Sequence, residues 1–351
     1  MKVFQPLLLL VGLVLGGLSL QAQDIHFSQF YLSPLNLNPA MTGVMNCNVR
    51  LVANYRNQWA SVMGANSFRT YSASYDQRIP VGRYDYWGVG ATFWGDVAGE
   101  ADFGTTTGKL SASYSKRMGG DRRSSHYLVV GAEGGVAQRN VDFLRLRWGS
   151  QFNPATSSFD ETLMSGETAF DRTNFMFADI AAGLLWFSTF DENNNFYIGG
   201  AFHHLNTADQ SFRTDVTENL YSRYTIHAGG EFAMTSRTSL VPGIIVMSQG
   251  PSFTMNTGTS VRWILGRARG EYQAFQLGLW ARISNQIESG VLTDAAILST
   301  RFDYNSFSLG FSYDINISEL DVATGGNGSF EFALAYKFCS PERRNVYCPN
   351  F

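Results

Sequence analysis

From about residue 48 onward the chain alternates between apolar and polar positions. Over 306–317, Phe307, Leu309, Phe311, Tyr313, Ile315 and Ile317 are apolar, and Ser308, Gly310, Ser312, Asp314 and Asn316 stand between them. Over 330–338, Phe330, Phe332, Leu334, Tyr336 and Phe338 share one parity, while Glu331, Ala333, Ala335 and Lys337 share the other. Successive side chains of an extended chain point to opposite faces, so a period of two predicts a strand with one apolar face. Fourteen such segments are legible, near 48–57, 67–78, 85–95, 105–117, 125–139, 174–189, 195–205, 221–234, 238–248, 252–264, 272–284, 291–303, 305–317 and 329–338. The less apolar parity carries small residues and mixed charge, including Arg50, Lys109, Glu133, Arg223, Glu231, Arg262, Arg282 and Glu331.

The connections separate two readings of this pattern. If the first strand rises from the periplasm, the even strands end at 79–84, 119–124, 191–195, 235–237, 265–271 and Tyr304, all short. The other side carries 140–173 and 206–220, long and polar. Short turns on one side and long loops on the other is the outer-membrane barrel arrangement, with an apolar outside and a polar lumen. Trp87, Trp94, Trp148, Trp186, Trp263 and Trp280 fall near predicted strand ends, where an interfacial aromatic girdle would place them. The expected fold is therefore an all-β transmembrane barrel of about 14 antiparallel strands with both termini periplasmic. A secreted β-sandwich is the alternative.

Ahead of the strands, Met1–Lys2 supply a positive end, 7–20 is an apolar run without charge, and Ala22 offers a small residue for cleavage. This is the pattern of a secretory signal peptide. The run is short for a spanning helix, which needs ~20 residues. The organisation expected is a signal peptide at 1–22, an N-terminal segment at 23–46, a barrel at 47–338 and a periplasmic tail at 339–351. Segment 23–46 is long enough to plug the lumen, or to lie as a lead against the barrel base.

Composition narrows the field further. The 351 residues carry a net charge of −3, and 16% are charged, against about 25% in soluble domains. Gly numbers 35 and aromatics make up 14%. The balanced charge argues against nucleic-acid binding, and the aromatic content against disorder. Three Cys do not make a disulfide scaffold. A mean hydropathy of −0.11 is too polar for a bundle of membrane helices.

Five His are the candidates for catalytic or metal chemistry. His203 and His204 adjoin on a predicted strand, so they should face opposite ways and share no metal. His26, His126 and His227 stand alone. Ser222 and Ser239 lie near His227 in sequence, but no motif fixes a nucleophile pair. Gly199-Gly200 and Gly229-Gly230 fall inside strands, where glycine relieves crowding or permits curvature. No enzyme, metal or cofactor is expected. Cys339 and Cys348 bracket a short tail and are expected to pair, leaving Cys47 over. Arg145, Arg147, Trp148 and Phe152 in one loop, and Phe212 and Arg213 in the other, are contact candidates, since interfaces favour Arg and aromatics. A self-packed lid over the lumen is the alternative for these loops. Asp24, His26, Phe27, Phe30, Asn36, Asn38 and Pro39 are contact candidates in the N-terminal segment.

The stretch from Asp24 to Gly43, reading Asp-Ile-His-Phe-Ser-Gln-Phe-Tyr-Leu-Ser-Pro-Leu-Asn-Leu-Asn-Pro-Ala-Met-Thr-Gly, resembles the start of the PorP/SprF family of type IX secretion in Bacteroidetes. Asn54-Tyr55-Arg56-Asn57-Gln58-Trp59 is similar to that family's first strand. The segment 307–317, followed by Ser318, Leu320 and Ser329-Phe330-Glu331, is similar to its final hairpin. The resemblance brackets the mature chain, while the barrel centre matches only in pattern. It implies an outer-membrane barrel without known enzymatic activity. Some members resemble core parts working with periplasmic lipoproteins of the secretion ring. Others serve a large secreted adhesin with a C-terminal sorting domain, in gliding motility or surface adhesion. The function expected is to bind such cargo and support its export or surface anchoring, within outer-membrane lipid and with no nucleic acid. The alternatives are a core barrel of the secretion machine and a general diffusion porin.

Overall fold

The computed structural model describes residues 24–121, 124–160, 162–166, 171–191, 194–268, 271–285, 290–319, 321–339 and 348–349. The expected signal peptide and most of the expected tail lie outside these residues. The strands are β1 (Val49–Gln58), β2 (Phe68–Val81), β3 (Asp85–Ala98), β4 (Phe103–Gly119), β5 (Ser125–Asn140), β6 (Phe152–Asn153), β7 (Ser158–Phe159), β8 (Asn174–Asp191), β9 (Asn194–His203), β10 (Arg223–Ala233), β11 (Thr238–Gln249), β12 (Ser252–Ala268), β13 (Glu271–Asn285), β14 (Val291–Tyr304), β15 (Phe307–Asn316) and β16 (Asn327–Phe338).

All except β6 and β7 form one closed antiparallel barrel of fourteen strands, in which each strand pairs with its neighbours in sequence and β1 pairs with β16. Each of the fourteen expected segments is a barrel strand. The short ladder β6–β7, inside the longest loop, carries no periodic signal and was not expected.

Parity sets the faces. In β16, Phe332 and Leu334 are exposed while Glu331, Ala333 and Ala335 are buried. The same inversion runs round the wall: Leu110, Met176 and Leu279 face outward, and Arg50, Lys109, Glu133, Arg262 and Arg282 face inward. Closure pairs the strand edges, so the wall's backbone groups are satisfied without water, as a bilayer requires. The expected aromatic girdle is only partly correct. Trp87, Trp186 and Trp263 face outward, but Trp94 and Trp280 are buried inside. They share parity with Thr92 and with Arg282, and parity, not nearness to a strand end, decides the face.

At one rim β2 leads into β3, β4 into β5, β8 into β9, β10 into β11, β12 into β13 and β14 into β15, each by a short connection. The opposite rim carries the long loops 141–173 and 204–222. β1 begins and β16 ends at the short-connection rim, where Val49 lies opposite Phe338.

Residues 24–46 occupy the lumen instead of lying against the barrel base. Pro34 and Pro39 each open a helical turn, Pro34–Leu37 and Pro39–Met41, as fixed φ and a missing N–H allow at a first helical position. The Asn38 side chain caps the second turn by accepting from Ala40 N at 2.8 Å. Phe30, Leu32, Leu37, Met41 and Val44 pack on inward wall residues, among them Val129, Leu185, Phe187, Ile245, Trp280 and Ile297. One sector of the lumen is thus an apolar core, where a polar lumen of small and charged residues was expected. Each fully buried Leu or Met contributes roughly 1.5–3 kcal/mol.

Candidate functional site

The rest of the lumen is a set of buried charges that hold the N-terminal segment. Near the long-loop rim, Arg56 reaches Glu331 at 2.7 Å, and Arg282 reaches Asp314 at 2.6 Å. Ser28 N and Gln29 N donate to the Glu331 carboxylate at 2.6 and 3.0 Å. Towards the other rim, Arg50 pairs with Asp76 at 2.8 Å and donates to Met41 O at 3.1 Å. Gly43 N donates to the same Asp76, and Arg78 donates to Met45 O at 3.0 Å. Removing one partner of such a buried pair costs about 3–5 kcal/mol, because the other charge is left dry.

A further cluster grips Asp24. Its carboxylate meets Arg223 at 3.1 Å and His204 Nε2, while His204 Nδ1 meets Asp179 at 2.8 Å. Lys109 bridges Asp179 (2.7 Å) and Glu133 (3.0 Å), and His203 approaches Glu133 at 3.6 Å. The expectation that His203 and His204 face opposite ways is wrong. β9 ends at His203, and His204 turns into the left-handed region at φ 56°, so both rings are buried inside the barrel. Burial opposes the charge of His204, but the flanking Asp24 and Asp179 outweigh it and hold its pKa up at about 9. Among the described residues, no group of three His, Cys, Asp or Glu side chains is placed to hold a metal ion.

Glycines make room for the segment. A Cβ on Gly88 would stand 2.1 Å from Thr42 O, one on Gly310 would stand 2.4 Å from Leu32 Cδ1, and one on Gly131 would stand 2.5 Å from Ala40 Cα. On the far wall, Asn38 Nδ2 donates to Leu184 O (3.0 Å) and Gly200 O (3.1 Å) and lies 3.0 Å from His227 Nε2. Cavities between segment and wall, beside Ile25, His26 and Arg223, measure about 10 to 20 Å³, room for about one water each.

The seven N-terminal contact candidates are therefore committed to the barrel. Phe27, Phe30, Asn38 and Pro39 are buried, and Asp24, His26 and Asn36 are half-buried. Phe30 packs edge-on against Trp280, and Asn36 donates to Ser72 at 2.7 Å. They were expected as partner contacts; in the structure the wall takes their polar and aromatic groups.

The long loops pack on each other. Phe212 packs its ring against Phe143, Phe103 and Phe175, at centroid distances of 5.7, 6.1 and 5.1 Å. Asp171 N and Arg172 N donate to Phe212 O, and Thr214 donates twice to Asp171. Those bonds lower the Asp171 pKa. Phe212 is thus an internal tie of the platform, not an open contact. Arg213 pairs with Asp215 at 2.6 Å, and Trp148 is half-buried. Arg145, Arg147 and Phe152 remain exposed, with Arg145 beside Asp102 and Asp142, and Arg147 3.7 Å from Glu100. Leu144 and Met164 are almost fully exposed next to them.

The expected Cys339–Cys348 disulfide is also corrected. Cys339 bonds Cys47, with Cα atoms 4.3 Å apart. Asn48 N donates to Phe338 O, so closure of the barrel brings Cys47 and Cys339 side by side at the β1–β16 seam. Cys348 is a buried thiol beside Tyr86, and its carbonyl accepts from Asn46 Nδ2 at 2.9 Å. Sequence reasoning passed over Asp76, Asp303 and Asp314, which neutralise lumen arginines, and Asp179, which neutralises Lys109 and His204. Their inner parity was the available signal.

A family described as type IX secretion system membrane protein PorP/SprF matches residues 19–336. No curated protein matches the chain in sequence. Among solved structures, CdiB from Escherichia coli is similar at 10% identity and a TM-score of 0.46, over 82% of this chain and 63% of that one. The chain thus spans under two thirds of CdiB. The CymD monoaromatic hydrocarbon channel is similar at 13% identity and a TM-score of 0.45, over 89% and 94% of the two chains. The Ralstonia pickettii toluene transporter TbuX is similar at 10% identity and a TM-score of 0.43, over 86% and 92%.

Proposed function

Because this chain belongs to the PorP/SprF family of type IX secretion system membrane proteins, and is a barrel of the outer membrane, we propose that it supports export or surface anchoring of a large adhesin-type cargo without catalysis. In this reading the long loops face outward and the short connections face the periplasm. The cargo, carrying a C-terminal sorting domain, is held on the loop platform. The observation that carries the reading is the lumen, filled from rim to rim by residues 24–46 and tied there by buried ion pairs. A barrel that is closed inside and displays Arg145, Arg147, Phe152, Leu144 and Met164 on one rim is suited to holding a partner, not to passing a solute.

The same observation weighs against the diffusion porin. The core-machine reading, with contacts to periplasmic ring lipoproteins, is supported instead by the short-connection rim, where Arg83, Lys116, Arg117 and Arg237 stand in or beside the turns. Deleting the loop tip 144–165 separates the readings. Anchored adhesin should fall at least tenfold on intact cells and appear in the medium, while the barrel keeps its heat-modifiable mobility. Unchanged surface adhesin would reject the loop platform as the cargo site.

A further inference from the structure

Asp24 lies at one end of the barrel, and the segment it starts leaves at the other. Asp24 N donates to Gln249 Oε1 at 2.9 Å, and its carboxylate meets Arg223 and His204. Gln249 ends β11, Arg223 begins β10 and His204 follows β9, all at the long-loop rim. Midway, Tyr31 donates to Ser299 at 3.2 Å, and Leu32 O accepts from Asn54 at 3.1 Å. At the short-connection rim, Asn46 pairs with the Cys348 backbone, and Cys47 bonds Cys339. The segment therefore runs the height of the lumen before β1 begins.

We infer that the mature chain starts at the long-loop face: its N-terminal segment is threaded up through the lumen, and the wall closes around it. Both termini were expected on the periplasmic side. The geometry divides them, since β16 ends at the short-connection rim while Asp24 sits at the other. Late insertion is sterically blocked. Backbone and side chains of the segment fill the space that Gly88, Gly131 and Gly310 leave, so the closed wall gives them no room to slide. Asp24 would also have to cross the apolar sector around Val129, Leu185 and Ile297 as an unpaired charge. Laying the segment against an open sheet before β1 meets β16 avoids both barriers, and the Cys47–Cys339 bond then fastens the seam.

With the long loops outside the cell, which rests on the function proposed above, the mature N-terminus becomes a surface element beside the loop platform. Three epitope variants of the full chain test this in intact and permeabilised cells: one ahead of Asp24, one within 154–157 of the long loop, and one within 120–124. Heat-modifiable mobility checks that each folds. Where an epitope ahead of Asp24 blocks folding, Gln23→Cys read with a membrane-impermeant maleimide replaces it. The N-terminal and loop tags should label intact cells to within about twofold of each other, and the turn tag only after permeabilisation. A loop tag that labels intact cells while the N-terminal tag needs permeabilisation would overturn the inference and leave the orientation standing. If the turn tag alone labels intact cells, the orientation is wrong. An N-terminal tag hidden together with the loop tag still supports the threading, and one labelled together with the turn tag overturns it.

Discussion

Gly131→Ala is the sharpest probe of the filled lumen. Gly131 lies on β5, and an added Cβ would stand 2.5 Å from both Ala40 Cα and Ala40 N, and 2.6 Å from the Pro39 carbonyl carbon. Ordinary carbon contacts are about 3.5–4.0 Å, so one side must retreat by roughly 1 Å. Neither side yields easily, because the obstructing atoms are backbone on both. Ala40 is fully buried, its turn is capped by Asn38, and Met41 O is held by Arg50. Overpacking of this kind costs typically 1–3 kcal/mol, against a gain of about 0.5–1 kcal/mol from replacing a strand glycine. The expected net loss is about 1–2 kcal/mol. Gly134→Ala is the matched control, three residues along the same strand, facing outward with nothing within 4 Å of its Cβ. It should be neutral or slightly stabilising. Equilibrium urea unfolding of the two variants in one detergent should separate them by about 2 kcal/mol, a factor of roughly 30 in the folding constant. Planar-bilayer recordings should add rare openings for Gly131→Ala alone. Equal stability of the two variants would refute a lumen packed against the wall glycines.

Two further outcomes follow from the site. The His204 pKa is raised to about 9 from an ordinary 6.5, so its stabilising contribution is complete below about pH 6.5 and is lost as pH rises to about 9. Unfolding free energy of the wild type should fall by up to about 3 kcal/mol across that window, and His204→Asn should be flat there; parallel curves would exclude the Asp24–His204–Asp179 link. Non-reducing peptide mapping should yield a Cys47–Cys339 pair that survives Cys348→Ser. Cys47→Ser should cost about 2–4 kcal/mol, and recovery of a Cys339–Cys348 peptide would contradict the seam.

How much was legible follows from how local each signal is. The fourteen strands and the inward place of Arg50, Lys109 and Glu331 were legible because a period of two is written residue by residue, and a bilayer outside the barrel enforces it over every strand. The loop lengths marked the two rims for the same reason. The course of residues 24–46 was not legible. Proline-started turns carry no period, and the segment folds only against a wall supplied by residues far along the chain. Its trace in the sequence was indirect: Gly88, Gly131 and Gly310 occupy inward positions where a lumen open to water would not require glycine. Cys47 and Cys339 lie 292 residues apart and meet only because β1 pairs with β16, so spacing favoured the wrong partner. His204 was misplaced because a single left-handed residue breaks the alternation that parity assumes. Local periodicity thus determined the barrel and its two faces. Closure in three dimensions decided what fills it, because contacts between distant residues leave no periodic mark on the chain.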